Sequence, residues 1–144
     1  MPINGSINAY TCAVDSTGSP LGGTADTGAL LNYAAASVGS NSADQTNPNG
    51  RGIKIVVDVT AITGTTPTLT VTLQGKDTAS GKYYTILASA ALTAAGTTVL
   101  TVFPGLVAAA NVTANDVLPR TYRVIAVIGG TTPAVTATVG ASLV

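Results

Sequence analysis

The chain has no histidine, no glutamate and no tryptophan, and only one cysteine, one methionine and one phenylalanine in 144 residues. Without imidazole it lacks the usual general base and the commonest metal ligand. Ser-His-Asp and Cys-His arrangements are therefore impossible. Cys12 stands alone, so no disulfide can close within the chain. It has no partner base to activate it and reads as a small apolar packing residue. Charge is scarce as well. Charged residues make up 8 % of the sequence, about a third of the usual share.

The acids are Asp15, Asp26, Asp44, Asp58, Asp77 and Asp116, and the bases are Arg51, Lys54, Lys76, Lys82, Arg120 and Arg123, with formal net charge zero. No basic stripe exists, so nucleic acid is not an expected partner. No two Asp lie closer than the eleven positions from Asp15 to Asp26, and no calcium-loop pattern occurs. No catalytic, cofactor-binding or metal-binding residues are assigned, and the chain is expected not to be an enzyme. The N-terminus (Met1-Pro2-Ile3-Asn4-Gly5-Ser6) has neither a positive region nor an apolar one. No apolar run reaches the length of a membrane span. A soluble protein made in a cytoplasm is therefore expected, without a membrane partner. Zero net charge also removes the repulsion that keeps copies of a protein apart.

What is present is apolar residues (46 %), glycine, threonine and proline in quantity. Low charge with ample apolar content argues against disorder, and the length suits one domain. Residues 1–50 are rich in Gly, Ser, Asn, Thr and Asp, with scattered apolar residues at Ile7, Tyr10, Leu21, Leu30, Leu31 and Tyr33. Within them, Gly28 to Val38 could be a short helix or a strand. The lack of a cap pair favours the strand. Residues 39–50 read as a loop.

From residue 51 the pattern has a period of two, the mark of half-buried strands. Ile53, Ile55, Val57, Val59 and Ala61 take one face, and Lys54, Val56, Asp58 and Thr60 the other. Gly64-Thr65-Thr66-Pro67 reads as a hairpin turn into Leu69, Val71 and Leu73. A second hairpin is expected across Gly75 to Gly81, leading into residues 82–88. In that strand Tyr83 and Tyr84 face opposite ways, one toward the core and one toward an edge. Thr97 to Phe103 is a further strand, 106–119 is irregular, and Arg120 to Ile128 and Val135 to Leu143 are two strands joined by a turn at Gly129 to Pro133.

Residues 59–73 echo residues 125–139 at a spacing of 66, and both carry Gly-Thr-Thr-Pro. Two copies do not make a solenoid. Six or seven strands with no confident helix predict an all-β protein: a single antiparallel β-sandwich, jelly-roll-like or Ig-like. An irregular, extended N-terminal arm (1–50, with one or two short strands) would precede the 51–144 core. The expected inward residues are Ile55, Val57, Val59, Leu69, Val71, Leu73, Tyr122, Val124, Val135 and Val139.

The strand ending in Asp58-Val59-Thr60-Ala61 and its Gly64-Thr65-Thr66-Pro67-Thr68-Leu69 sequel recur as Tyr122-Arg123-Val124 followed by Gly129-Gly130-Thr131-Thr132-Pro133. In these features the chain resembles small virion structural proteins of tailed bacteriophages, over about two-thirds of its length. The resemblance implies a virion part, above all a capsid decoration (cement) protein. Such a protein binds the outer shell and stabilises it through capsomer contacts and self-association. Its partners would be the major capsid protein or another virion protein, and copies of itself. A neck or tail component, or a receptor- or glycan-binding module, is the alternative. The family brings no catalytic motif and no cofactor. Ile7, Tyr10, Leu21, Leu30, Leu31 and Tyr33 then become candidate partner-contact anchors of the arm.

Overall fold

The computed structural model describes residues 26–144, with side chains from Ala29 onward. Those residues are all-β. Seven strands form one sheet: β1 (Asp26–Ala36), β2 (Gln45–Thr46), β3 (Ile53–Lys76), β4 (Tyr83–Ala88), β5 (Gly96–Val102), β6 (Thr113–Ala114) and β7 (Thr121–Leu143). The order is β1-β7-β3-β5-β6, with β2 also on β7 and β4 also on β3. Every pair is antiparallel except β5 with β6.

The long pair β3 and β7 is the frame. Ile53–Thr63 pairs with Ala134–Leu143, and Thr68–Gly75 pairs with Tyr122–Gly129. Neither Gly-Thr-Thr-Pro is therefore a hairpin turn. Each is a bend inside one continuous strand, and the two bends oppose each other, with Thr65 beside Thr131. The contacts are reciprocal. A Cβ on Gly64 would lie 2.8 Å from the Thr132 carbonyl oxygen, and one on Gly130 would lie 2.6 Å from that of Thr66. Both glycines have positive φ (126° and 109°), and so do Thr66 and Thr132 (48° each). Threonine is β-branched, so that backbone region is unusual for it. The bend is also required by size. Drawn straight, the 24 residues of β3 would reach about 80 Å, whereas a compact chain of this length has a radius of gyration near ~15 Å.

All ten expected inward residues are buried. Buried residues from both halves of the long pair form one cluster, from Ile53 and Val139 on one side of the bend to Leu73 and Tyr122 on the other. Burying such side chains is the main favourable term in folding.

Three further expectations change. Ala61 is exposed because a register shift lies between Val59 and Ala61. β1 pairs along β7 from Asp26 to Ala36, so the sheet begins well before residue 51. Tyr83 and Tyr84 both stay out of the core. Tyr84 is 47 % exposed and lies over Gly75, because β4 is an edge strand with little above it. The second hairpin is present: the Asp77 N–H donates to the Lys82 carbonyl, and the Asp77 carboxylate accepts from Ala79 and Ser80.

Candidate functional site

Of the residues expected as contact anchors, Ile7, Tyr10 and Leu21 lie outside the described residues. Leu31 and Tyr33 are each only 7 % exposed, and Leu30 packs partly buried against the core. The Tyr33 hydroxyl is paired with Ser40 Oγ at 2.9 Å and accepts from the Ser40 N–H at 3.0 Å. These side chains are spent inside the chain, because β1 is a full member of the sheet. What remains for contact are the outward faces of the two halves, which differ in kind.

The half beyond the bend (Thr68–Lys76, Thr121–Gly129 and β4) carries a polar cluster on its outward face, at the end away from the exposed Val127. The Arg123 guanidinium lies 3.5 Å from the centre of the Tyr83 ring, and its Nε donates to Gln74 Oε1 at 2.9 Å. Lys76 Nζ pairs with Asp44 Oδ2 at 2.8 Å, and the Tyr83 hydroxyl donates to Asp44 Oδ1 at 2.7 Å. The hydrogen bond from Lys76, then that from Tyr83, holds the Asp44 carboxyl below its ordinary value. The same bond raises the Lys76 ammonium. Surface pairs of this kind contribute little to stability, but this one ties the 39–46 segment to the sheet. Serines also bond the flanks of both long strands in this half. Ser42 donates its N–H to the Val124 carbonyl while its Oγ accepts from the Val124 N–H. Ser89 does the same with Val71 on the opposite edge.

The other half (Ile53–Thr63, Ala134–Leu143, β1 and β5) leaves its outward face bare. Register places Ala29, Gly140, Val56 and Val99 in one row across four strands. Val56 is 40 % exposed and Val99 42 %. The row on one side reads Thr138, Asp58, Thr97, and on the other Ser142, Lys54, Thr101. Asp58 accepts a bond from Thr97 Oγ1 at 3.3 Å. The face is a short apolar row with two valines, between rows of threonine and serine that hold one charge of each sign, Asp58 and Lys54. The sequence pattern already placed Val56 among the outward residues of its strand. Val99 was harder to find, since it lies within a run of β-branched residues without alternation. A second apolar spot, an open groove of about 310 Å³, lies between Val38–Asn41 and Ala126–Ile128, where Val38 and Val127 are well exposed.

Among the described residues no three His, Cys, Asp or Glu side chains gather as a metal would need. The carboxylates have local tasks: Asp44 and Asp77 as above, Asp58 with Thr97, and Asp116 accepting from the Val117 N–H. The arrangement offers surface contact. Compared with protein-family models, curated proteins and solved structures, the chain matches none of them.

Proposed function

We propose that this chain is a structural protein of a tailed-phage virion, a capsid decoration subunit that acts without catalysis. The observation that carries the reading is the outward face around Val56 and Val99, apolar at its centre with one charge of each sign beside it, Lys54 and Asp58, in a chain of zero net charge. A solvent-facing sheet normally alternates apolar-in with polar-out. A contiguous apolar stripe with a polar rim marks a surface made for a partner. The resemblance in the Gly-Thr-Thr-Pro strands supplies the partner class, a virion protein.

In this reading the sheet folds about its double bend so that its two inner faces pack together as a sandwich. The second half's dressed face stays in water while the bare face lies on the shell. The mechanism is passive. A subunit selective for the assembled shell stabilises that state by its binding free energy. Purified protein added to expanded empty capsids is expected to bind at saturable stoichiometry and raise their disruption temperature. A Val56→Lys/Val99→Lys double variant with unchanged unfolding midpoint is expected to lose both effects. Absence of binding by the wild type at saturating concentration refutes the reading.

A further inference from the structure

The strand order holds a repeat larger than the echoed sequence. β1, β2 and β3 precede the hairpin at residues 77–82, and β4, β5 and β7 follow it. A shift of 66 positions carries one long strand onto the other, and the register obeys it. Ala61, Ile62 and Thr63 pair with Thr136, Val135 and Ala134. The shifted positions Val127, Ile128 and Gly129 pair with Thr70, Leu69 and Thr68. Thr65 and Thr131, also 66 apart, meet at the centre of this relation. The short strands follow it too. Leu31 of β1 stands beside Val139, and Leu87 of β4 beside Leu73, 66 positions before Val139. Both leucines are buried. Gln45 of β2 stands beside Tyr122, and Val99 of β5 beside Val56, 66 positions before Tyr122.

The described residues are thus two sequential units, Asp26–Lys76 and Tyr83–Leu143, and the units are interleaved. β1 and β2 pair with β7, while β4 and β5 pair with β3. Each unit lends its short strands to the long strand of the other, and the two long strands pair with each other. Among the described residues, only β5 with β6 pairs two strands of one unit. Neither unit holds enough sheet to be stable by itself. The core forms when one unit closes on another, since it takes residues from both. Only residues 77–82 join the units. Their turn is held by Asp77, whose N–H donates to the Lys82 carbonyl and whose own carbonyl accepts from Gly81 at 2.7 Å. The Asp77 carboxylate accepts from the Ala79 and Ser80 N–H groups and from Ser80 Oγ. The segment has no proline.

We infer that two copies of this chain associate by exchanging units, Asp26–Lys76 of each copy closing on Tyr83–Leu143 of the other. Every rung between the units is kept in the two bodies of such a dimer, and only the hairpin opens. The opened segments have a ready arrangement. Lys76 stands beside Tyr83 in the hairpin, so the same register carried outward sets Asp77 of one copy beside Lys82 of the other. The two segments then run antiparallel and extend the β3–β4 ladder from one body to the next, over about 20 Å. The surface that receives the second copy is the one each unit already offers within its own chain. Exchange of an identical element is a low-cost route to a dimer for this reason. The inference goes beyond the virion reading and fails separately from it. Exchange needs no shell, and shell binding needs no exchange.

The test uses the full chain refolded from urea at about 100 µM, where mass action favours association, and read by light scattering and circular dichroism. The wild type is expected to give monomer and dimer. Ala79→Pro/Ser80→Pro removes two N–H groups bonded to Asp77 and drives residues 78 and 79 out of a compact turn. That variant is expected to give dimer alone, with the wild-type spectrum. Complementation is the sharper arm. Val57→Asp cripples the first unit and Val135→Asp the second, since each buries an unpaired charge at a fully buried position. Each is expected to stay unfolded by itself. Refolded together they are expected to form a 1:1 pair with one intact body, the first unit coming from the Val135→Asp chain and the second from the Val57→Asp chain. A wild type that refolds only as a monomer, a proline variant that does so, or a mixture no better folded than its two parts each overturns the inference.

Discussion

The two halves of the long strand pair share a bend and an echoed sequence, yet they are finished differently. Beyond the bend, Arg123, Tyr83, Lys76 and Asp44 form a polar cluster on the outward face, with Val127 exposed at its other end, and Ser42 and Ser89 bond the flanks of the long strands. Before it, Val56 and Val99 are 40 % and 42 % exposed, and β5 pairs with β3 without a register shift. The inner faces are alike, so the core does not require this difference. A duplicated strand pattern thus serves one core while its two outer faces carry different side chains.

The comparison can be broken most severely at the core. Ile55→Ala before the bend and Tyr122→Ala beyond it should each cost about 3–5 kcal/mol, since both side chains are about 1 % exposed. Urea unfolding should show a single transition for both. Separate transitions for the two halves would contradict a shared core.

The bend itself comes next. Gly64→Ala and Gly130→Ala should each cost about 2 kcal/mol or more, because both need positive φ and both meet the opposing carbonyl. Calorimetry should find the two losses matched. Thr66→Asn and Thr132→Asn should instead gain about 0.5–1 kcal/mol by relieving the same backbone.

Smaller effects test the serine contacts on the long strands. Ser42→Ala and Ser89→Ala each leave a buried strand N–H, of Val124 or Val71, without its acceptor. Each should cost about 1–2 kcal/mol in denaturant titrations. No serine occupies the corresponding position on β5.

The smallest effect concerns acid. Asp44 has its carboxyl held below the ordinary value of 3.8 by Lys76 and Tyr83. Its stabilisation is complete above that value and is lost as pH falls through the lower folded-state value. Asp77, lowered by Ser80 and by backbone N–H groups, behaves alike. Unfolding midpoints measured from pH 5 downward should therefore fall below about pH 4. Asp44→Asn should flatten part of that decline, leaving the share due to Asp77.

Much of the fold was legible because period-two alternation reports burial directly. Residues 53 to 59 and 69 to 73 keep odd numbers inward, and all are buried. The bend was not legible, since Gly-Thr-Thr-Pro is also good hairpin chemistry. Only the partner strand decides whether the chain reverses. Phase carries the clue. In β7 the inward residues change from even (122, 124, 126) to odd (135, 137, 139) across the bend. In β3 the same change is cancelled by the shift near Thr60, where the even Ile62 briefly turns inward, so that strand looks unbroken. The outward stripe was half visible through Val56. Its width was not, because it arises from register among four strands distant in sequence. Leu31 and Tyr33 resembled arm anchors because β1, with its three shifts, hides its alternation.

The placement of the chain's ends has a mechanical consequence. Asp26 and the last residues of β7 lie at the same end of the sheet, and Asp26 is paired with Ser142. Tension applied between residue 26 and the C-terminus therefore unzips β1 from β7 one rung at a time, at low force. A pull between Ile53 and the Thr65–Thr131 corner instead loads many rungs of the long pair in shear together. The chain therefore resists a load strongly only when it is held by the long strands and the corner rather than by residue 26 and the C-terminus.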